Sequence, residues 1–199
     1  MPPWSDEPGH PAWRRPNGVL PGLSPVGLIL ARTDEMALAV GNVLGYPNGF
    51  EFTVNARLRH EQFVWGKSPL DPQADPRTGQ QPELALRLGV LYADGRRART
   101  SSHRPIPISE ADDEGLVLRE VGTGGTDRQW DGRLWVHPLP ADGTVTFVAS
   151  WLLYDITETR AELDSSVIRE AAERAVILWP DDPATAQPAS GGPASGGGV

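Results

Sequence analysis

The chain contains no cysteine. That excludes a disulfide framework, a thiolate nucleophile, and Cys-ligated zinc or iron–sulfur sites. Lysine is nearly absent too: Lys67 is the sole lysine among 18 basic side chains, and the surplus of Arg, Ala, Gly and Pro reads as GC-rich coding rather than chemistry. No apolar run approaches the roughly 18 residues of a membrane helix, so no transmembrane segment is expected. Residues 1–16 hold Pro, Trp13 and charges without the apolar stretch of a signal peptide, and the expected location is cytoplasmic. Positive charge is also in deficit, with 26 acidic against 18 basic side chains and a net charge of −8. This works against broad attraction to polyanions, and no nucleic-acid partner is expected.

What the chain has in plenty is turn chemistry: 22 Gly and 20 Pro in 199 residues, about a fifth, against roughly 12 per cent in average proteins. Loops must be abundant. The apolar fraction of 39%, raised to about half by glycine, still suffices for a buried core. The length suits one domain with loose ends.

Pro2, Pro3, Pro8, Pro11, Pro16 and Pro21 lack the N–H that a helix interior or a sheet ladder needs, so residues 1–24 read as a Pro-rich arm. Residues 181–199 are a Gly/Ser/Ala/Pro mixture of flexible-linker composition and read as a disordered tail. Between them, residues 25–180 form the expected single domain.

Period-2 patterning recurs through this domain. In Phe50 to Arg59, Phe50, Phe52, Val54, Ala56 and Leu58 fall on one face while Glu51, Thr53, Asn55, Arg57 and Arg59 fall on the other, as in a half-buried strand. Glu83 to Ala93 alternates similarly, and Ala93-Asp94-Gly95 signals a hairpin returning through Arg96 to Ser101. Thr144 to Tyr154 sets Val145, Phe147, Ala149, Trp151 and Leu153 on one face, with Val148, Leu152 and Tyr154 on the other, so that strand is expected to be covered on both sides. Further strands are expected at Val26 to Arg32, Met36 to Gly45, Leu116 to Val121, Asp127 to His137 and Glu158 to Leu163. One helix is expected at about 165–179, from the apolar stripe Val167, Ile168, Ala171, Ala172, Ala175, Val176 and Trp179, capped by Asp164, Ser165 or Ser166 and stopped by Pro180. Eight or nine short strands and one terminal amphipathic helix predict a mainly β, two-layer antiparallel sandwich, with the helix over an edge, an end or an outer face.

Catalytic and cofactor signatures are missing. The stretch Gly122-Thr123-Gly124-Gly125-Thr126 is followed by neither a Lys-Ser/Thr pair nor a helix, so it reads as a turn rather than a phosphate loop. The acidic run Glu110, Asp112, Asp113 and Glu114 lacks the spacing of a calcium loop and reads as a solvated turn. His10, His60, His103 and His137 form no helical metal-binding pair, and no G-x-S-x-G elbow activates a serine. No catalytic residue, metal ligand or cofactor is expected.

Contact residues are a different matter. Seven Trp are many for this length, and Trp favours both cores and binding hot spots. Trp151 and Trp179, on apolar stripes, are expected in the core. Trp130 and Trp135 fall on opposite faces of one strand, so at least one is a candidate contact residue, as is Trp65 beside the longest loop. Arg96, Arg97 and Arg99, with Arg104, form the basic cluster, read either as a partner contact or as charged hairpin edges that discourage sheet aggregation.

The C-terminal third also resembles a type of uncharacterised protein from GC-rich bacteria. The matching residues are Trp135, Pro138, Leu139, Pro140, Trp151, Glu158, Thr159, Arg160, Leu178, Trp179 and Pro180. The resemblance implies no activity, substrate or catalytic residue. The chain is therefore expected to be a non-enzymatic β-sandwich module acting through a protein partner or as a homo-oligomer. The alternatives are a small-molecule or carbohydrate binder using Trp65, Trp130 or Trp135, and a hydrolase using the acidic loop with His60 or His137.

Overall fold

The computed structural model describes residues 13–60, 68–71, 81–100 and 115–179. Among these residues the chain runs through eleven strands and one α-helix: β1 (Val19–Leu20), β2 (Gly22–Arg32), β3 (Met36–Tyr46), β4 (Gly49–Leu58), β5 (Arg87–Tyr92), β6 (Arg97–Arg99), β7 (Val117–Gly125), β8 (Gln129–His137), β9 (Thr144–Trp151), β10 (Ile156–Asp164), α1 (Ser165–Glu173) and β11 (Val176–Ile177). Every pairing is antiparallel. One sheet has the order β2-β3-β4-β8-β7, the second β10-β9-β5-β6, and β1 and β11 form a two-stranded ribbon. The sheets are open, and the fold is mainly β.

The alternation in β4 sets the layering. Phe50, Phe52, Val54, Ala56 and Leu58 all enter the main core, together with Leu88, Val90, Phe147, Ala149 and Trp151 from the second sheet. The Phe52 and Phe147 rings meet edge to face across the layers at 4.9 Å, a geometry that satisfies the ring quadrupoles. This contact ties one sheet to the other.

The helix plugs one end of the sandwich. Asp164, the last residue of β10, is its N-cap: the side chain accepts a hydrogen bond from Ser166 N at 2.8 Å, which satisfies an otherwise orphaned helical N–H. Ile168 and Ala171 are fully buried. Their backbone comes so close to the inner face of the first sheet that a Cβ at Gly22 or Gly45, which pair across β2 and β3, would run into Ala171 or Ala172. Only glycine leaves room for this approach.

Several expectations need correction. The helix ends at Glu173, not near 179. Val176 and Ile177 leave it to pair with Leu20 and Val19, and Trp179 is 59% exposed rather than in the core. A hydrophobic stripe at helical spacing also suits a short helix followed by an extended segment, and the tertiary pairing decides between them. The ribbon partner β1 and the start of β2 lie inside the segment read as an arm, because Pro21 and Pro25 fall on an edge where no ladder hydrogen bond is required of them. β9 is not apolar on both faces: it stops at Trp151, and a 3₁₀ turn at Leu152–Tyr154 swings Tyr154 back against Trp151, ring centroids 4.7 Å apart. The glycine-rich segment forms the end of β7 rather than a turn, the reversal falling at Thr126 to Arg128.

Candidate functional site

Two surfaces carry chemistry that the folding of the core does not use. The first is the outer face of the five-stranded sheet. Its register aligns Leu44, Glu51, Trp135 and Arg119 across β3, β4, β8 and β7, and in the next row Gly41, Thr53, Arg133 and Gly122. Glu51 is 1% exposed, an expensive place for a carboxylate unless it is paired. The pairing comes from residues 13–18, which cross this face as a strap. Arg15 Nη1 donates to Glu51 Oε2 at 2.7 Å, Trp135 Nε1 donates to Trp13 O at 2.7 Å, and Asn48 Nδ2 donates to Arg14 O at 2.8 Å.

Val19, Tyr46 and Trp135 make a small second cluster under this strap. Tyr46 meets Trp135 edge to face at 5.4 Å, and burial pushes its phenol up from its ordinary value, opposed by the Arg15 guanidinium. Arg133 Nη1 stands 3.8 Å from Glu51 Oε1, and Arg119 lies over the Trp13 ring, its Cζ 5.2 Å from the centroid. Farther along the face, Asp131 Oδ1 accepts from Asn55 at 2.6 Å and from Arg57 at 2.7 Å.

The second surface is the β1–β11 ribbon. Val19 turns its side chain into the small cluster, while its neighbour Leu20 is 58% exposed. Leu23, Val176, Ile177, Leu178 and Trp179 are exposed beside it. The ribbon is held by the β1–β11 pairing and by Leu178 N donating to Gly18 O at 2.9 Å. Arg174 Nη2 donates to Leu23 O at 3.0 Å and ties the end of the helix to the same edge.

No protein-family model, curated protein or solved structure matches the chain.

The candidate contact residues fare unevenly. Trp130 and Trp135 do lie on opposite faces of β8, but both are buried, at 3% and 1% exposure; Trp130 belongs to the main core and Trp135 lies beneath the strap. Neither offers a ring to a ligand, because the outer face is covered at the one row where Trp135 emerges. Trp65 lies outside the described residues. Arg96 is engaged locally: it bridges Asp94 at 2.7 Å and sits over the Tyr92 ring at 5.3 Å, holding the Asp94 carboxyl below its usual range. Arg97 and Arg99 are exposed on β6, and Arg104 is outside the described residues.

The two described histidines, His60 and His137, do not converge. His137 is buried at one end of β8, its Nδ1 2.6 Å from Asn48 O. His60 follows the far end of the antiparallel β4, about 30 Å away at some 3.4 Å per residue. The acidic run at 110–114 is outside the described residues, and so are His10 and His103. Among the described residues no three His, Asp or Glu side chains gather as metal ligands, and no helix is long and apolar enough to cross a membrane.

One carboxyl stands out inside the opening between the layers. Glu120, on the edge strand β7, faces inward opposite Leu134. Ser68 Oγ donates to its Oε2 at 3.2 Å, and burial raises its pKa.

Sequence reasoning missed Arg15, Glu51, Arg119, Arg133 and the whole ribbon. For Glu51 the alternation correctly assigned the outer face, but carries no signal that a proline-containing segment lies across it.

Proposed function

We propose that the chain is a non-enzymatic interaction module that docks a protein partner, with a second copy of itself as the simplest case, on the β1–β11 ribbon. The observation that carries this reading is the grouping of Leu20, Leu23, Val176, Ile177, Leu178 and Trp179, all large, apolar and exposed. Single exposed apolar residues are ordinary, whereas six together, three on one short ribbon and three on the segments flanking it, mark an interaction surface. The presence of Trp among them suits a contact hot spot. Symmetric association is the commonest arrangement of soluble oligomers, and an isologous contact needs only one such patch per chain.

The carbohydrate-binding alternative loses support from the burial of Trp130 and Trp135, while Trp65 and the acidic run of the hydrolase alternative lie outside the described residues. Native mass spectrometry of the protein from its own host tests the reading. The expected mass exceeds the 21.5 kDa of one chain by whole chains or by a second polypeptide, and Val176→Arg abolishes the excess. A bare single chain for the unaltered protein, or an excess mass that Val176→Arg leaves intact, overturns it.

A further inference from the structure

We propose that Arg119 and Arg133 form a binding site for an oxyanion, the phosphate or carboxylate group of a small ligand, on the outer face of the five-stranded sheet. Trp135 faces Arg119 across the β7–β8 ladder, and Arg133 lies two residues before Trp135 on the same face. The two arginines are therefore diagonal neighbours on either side of the register shift between Glu120 and Gly122, with Cα atoms on the order of 7 to 8 Å apart in a regular ladder. That spacing lets two long side chains reach one anion.

Neither guanidinium is hydrogen-bonded to a carboxylate among the described residues, although Arg133 keeps a long ion pair with Glu51. Glu51 is already hydrogen-bonded to Arg15 at 2.7 Å, and Arg133 stands off at 3.8 Å, beyond hydrogen-bonding distance. Asp131, the next carboxylate along the face, is held by Asn55 and Arg57. Among the described residues, Arg119 has the Trp13 ring as its partner and no carboxylate. Arg15, Arg119 and Arg133 against Glu51 leave two positive charges in surplus on a chain of net charge −8.

Each group also has a neighbour on this face. Arg119 rests on an aromatic face. Arg133 lies so close over Gly122 that a Cβ there would come within 2.5 Å of its Nη2. Two neighbouring like charges repel, and an oxyanion between them turns that repulsion into charge-assisted hydrogen bonds. The site is independent of the ribbon.

The indole N–H signal of Trp135, which pairs with Arg119 across the ladder and donates to Trp13 O, reports on the site in a two-dimensional ¹H–¹⁵N spectrum of the full chain. Inorganic phosphate and acetate are titrated separately, with sodium chloride at matched ionic strength as reference. The expected result is a saturable shift with phosphate or acetate but not with chloride, half complete near about 1 mM, the stronger anion identifying the chemical group. Arg119→Gln, at an exposed position, and Arg133→Gln each weaken binding about tenfold, while Arg57→Gln, on the same face but paired with Asp131, leaves it unchanged. A shift that tracks ionic strength alone, or saturable binding that Arg119→Gln and Arg133→Gln leave intact, overturns the proposal.

Discussion

Arg15 and Glu51 form a 2.7 Å ion pair whose carboxylate side chain is only 2% exposed. This single contact fastens the strap to the middle strand of the larger sheet. Removing Arg15 leaves a desolvated charge with only the more distant Arg133 to answer it. Arg15→Ala is expected to cost about 2 to 4 kcal/mol in urea denaturation, and Glu51→Gln only about 1 kcal/mol, since no charge then stays buried. Equal losses in the two variants would show that the charge itself is not what the strap satisfies.

The close approach of α1 to β2 and β3 gives a second expectation. A methyl group at Gly45 meets helix backbone at Ala171 and Ala172, which cannot swing aside as a side chain would. Gly45→Ala is expected to cost about 2 to 3 kcal/mol, and Gly22→Ala a similar amount. Gly27→Ala, on the same strand as Gly22 but with open space around its Cβ, should stay within about 0.5 kcal/mol of the parent. Thermal unfolding of the three variants makes the comparison.

Acid dependence should show two opposing contributions. Burial raises Glu120 above its ordinary 4.5, so its contribution to stability is complete below that value and lost as pH rises through the folded-state pKa. Hydrogen bonds from Ser166 lower Asp164, and those from Arg96 lower Asp94. Their contributions are present above the ordinary 3.8 and lost as pH falls through the lowered values. Melting curves from acid to neutral pH should therefore show Glu120→Gln gaining on the parent as pH rises, and Asp164→Asn losing less than the parent in acid. A Glu120→Gln difference that does not vary with pH would contradict the assignment.

The ribbon and the core should separate cleanly in mutation. Val176→Arg, at an exposed position, is expected to change folding stability by less than about 0.5 kcal/mol while altering association. Ile168→Ala, at a fully buried site on the inner face of the helix, should cost about 3 kcal/mol. A large stability loss from Val176→Arg would make the ribbon part of the fold rather than a docking surface.

Much of the architecture was legible because strand alternation is a local property. Nine expected strands correspond to β2 through β10, and in β4 the assignment of Phe50, Phe52 and Val54 to the inner face and Glu51, Thr53 and Asn55 to the outer face holds residue by residue. The helix cap was readable to within Asp164, Ser165 or Ser166 for the same reason, since a capping side chain needs only its own neighbours to act, and the structure selects Asp164. The ribbon was not, because β1 and β11 are two residues each; strands so short have no period to detect and exist only through each other.

The sequence by itself determined the layer type, the inward residues of the long strands, the position of the helix start and the exclusion of thiol chemistry, all of which follow from composition or from spacing along one segment. Only the tertiary structure decided that Trp135 is covered, that Trp179 is exposed, that Gly22 and Gly45 admit the helix, and that Arg15 answers Glu51 while Arg119 and Arg133 lie diagonally across the β7–β8 ladder. These depend on segments as far apart as Trp13 and Trp135 meeting in space, and period-2 patterning states which face a residue takes but not what lies across that face.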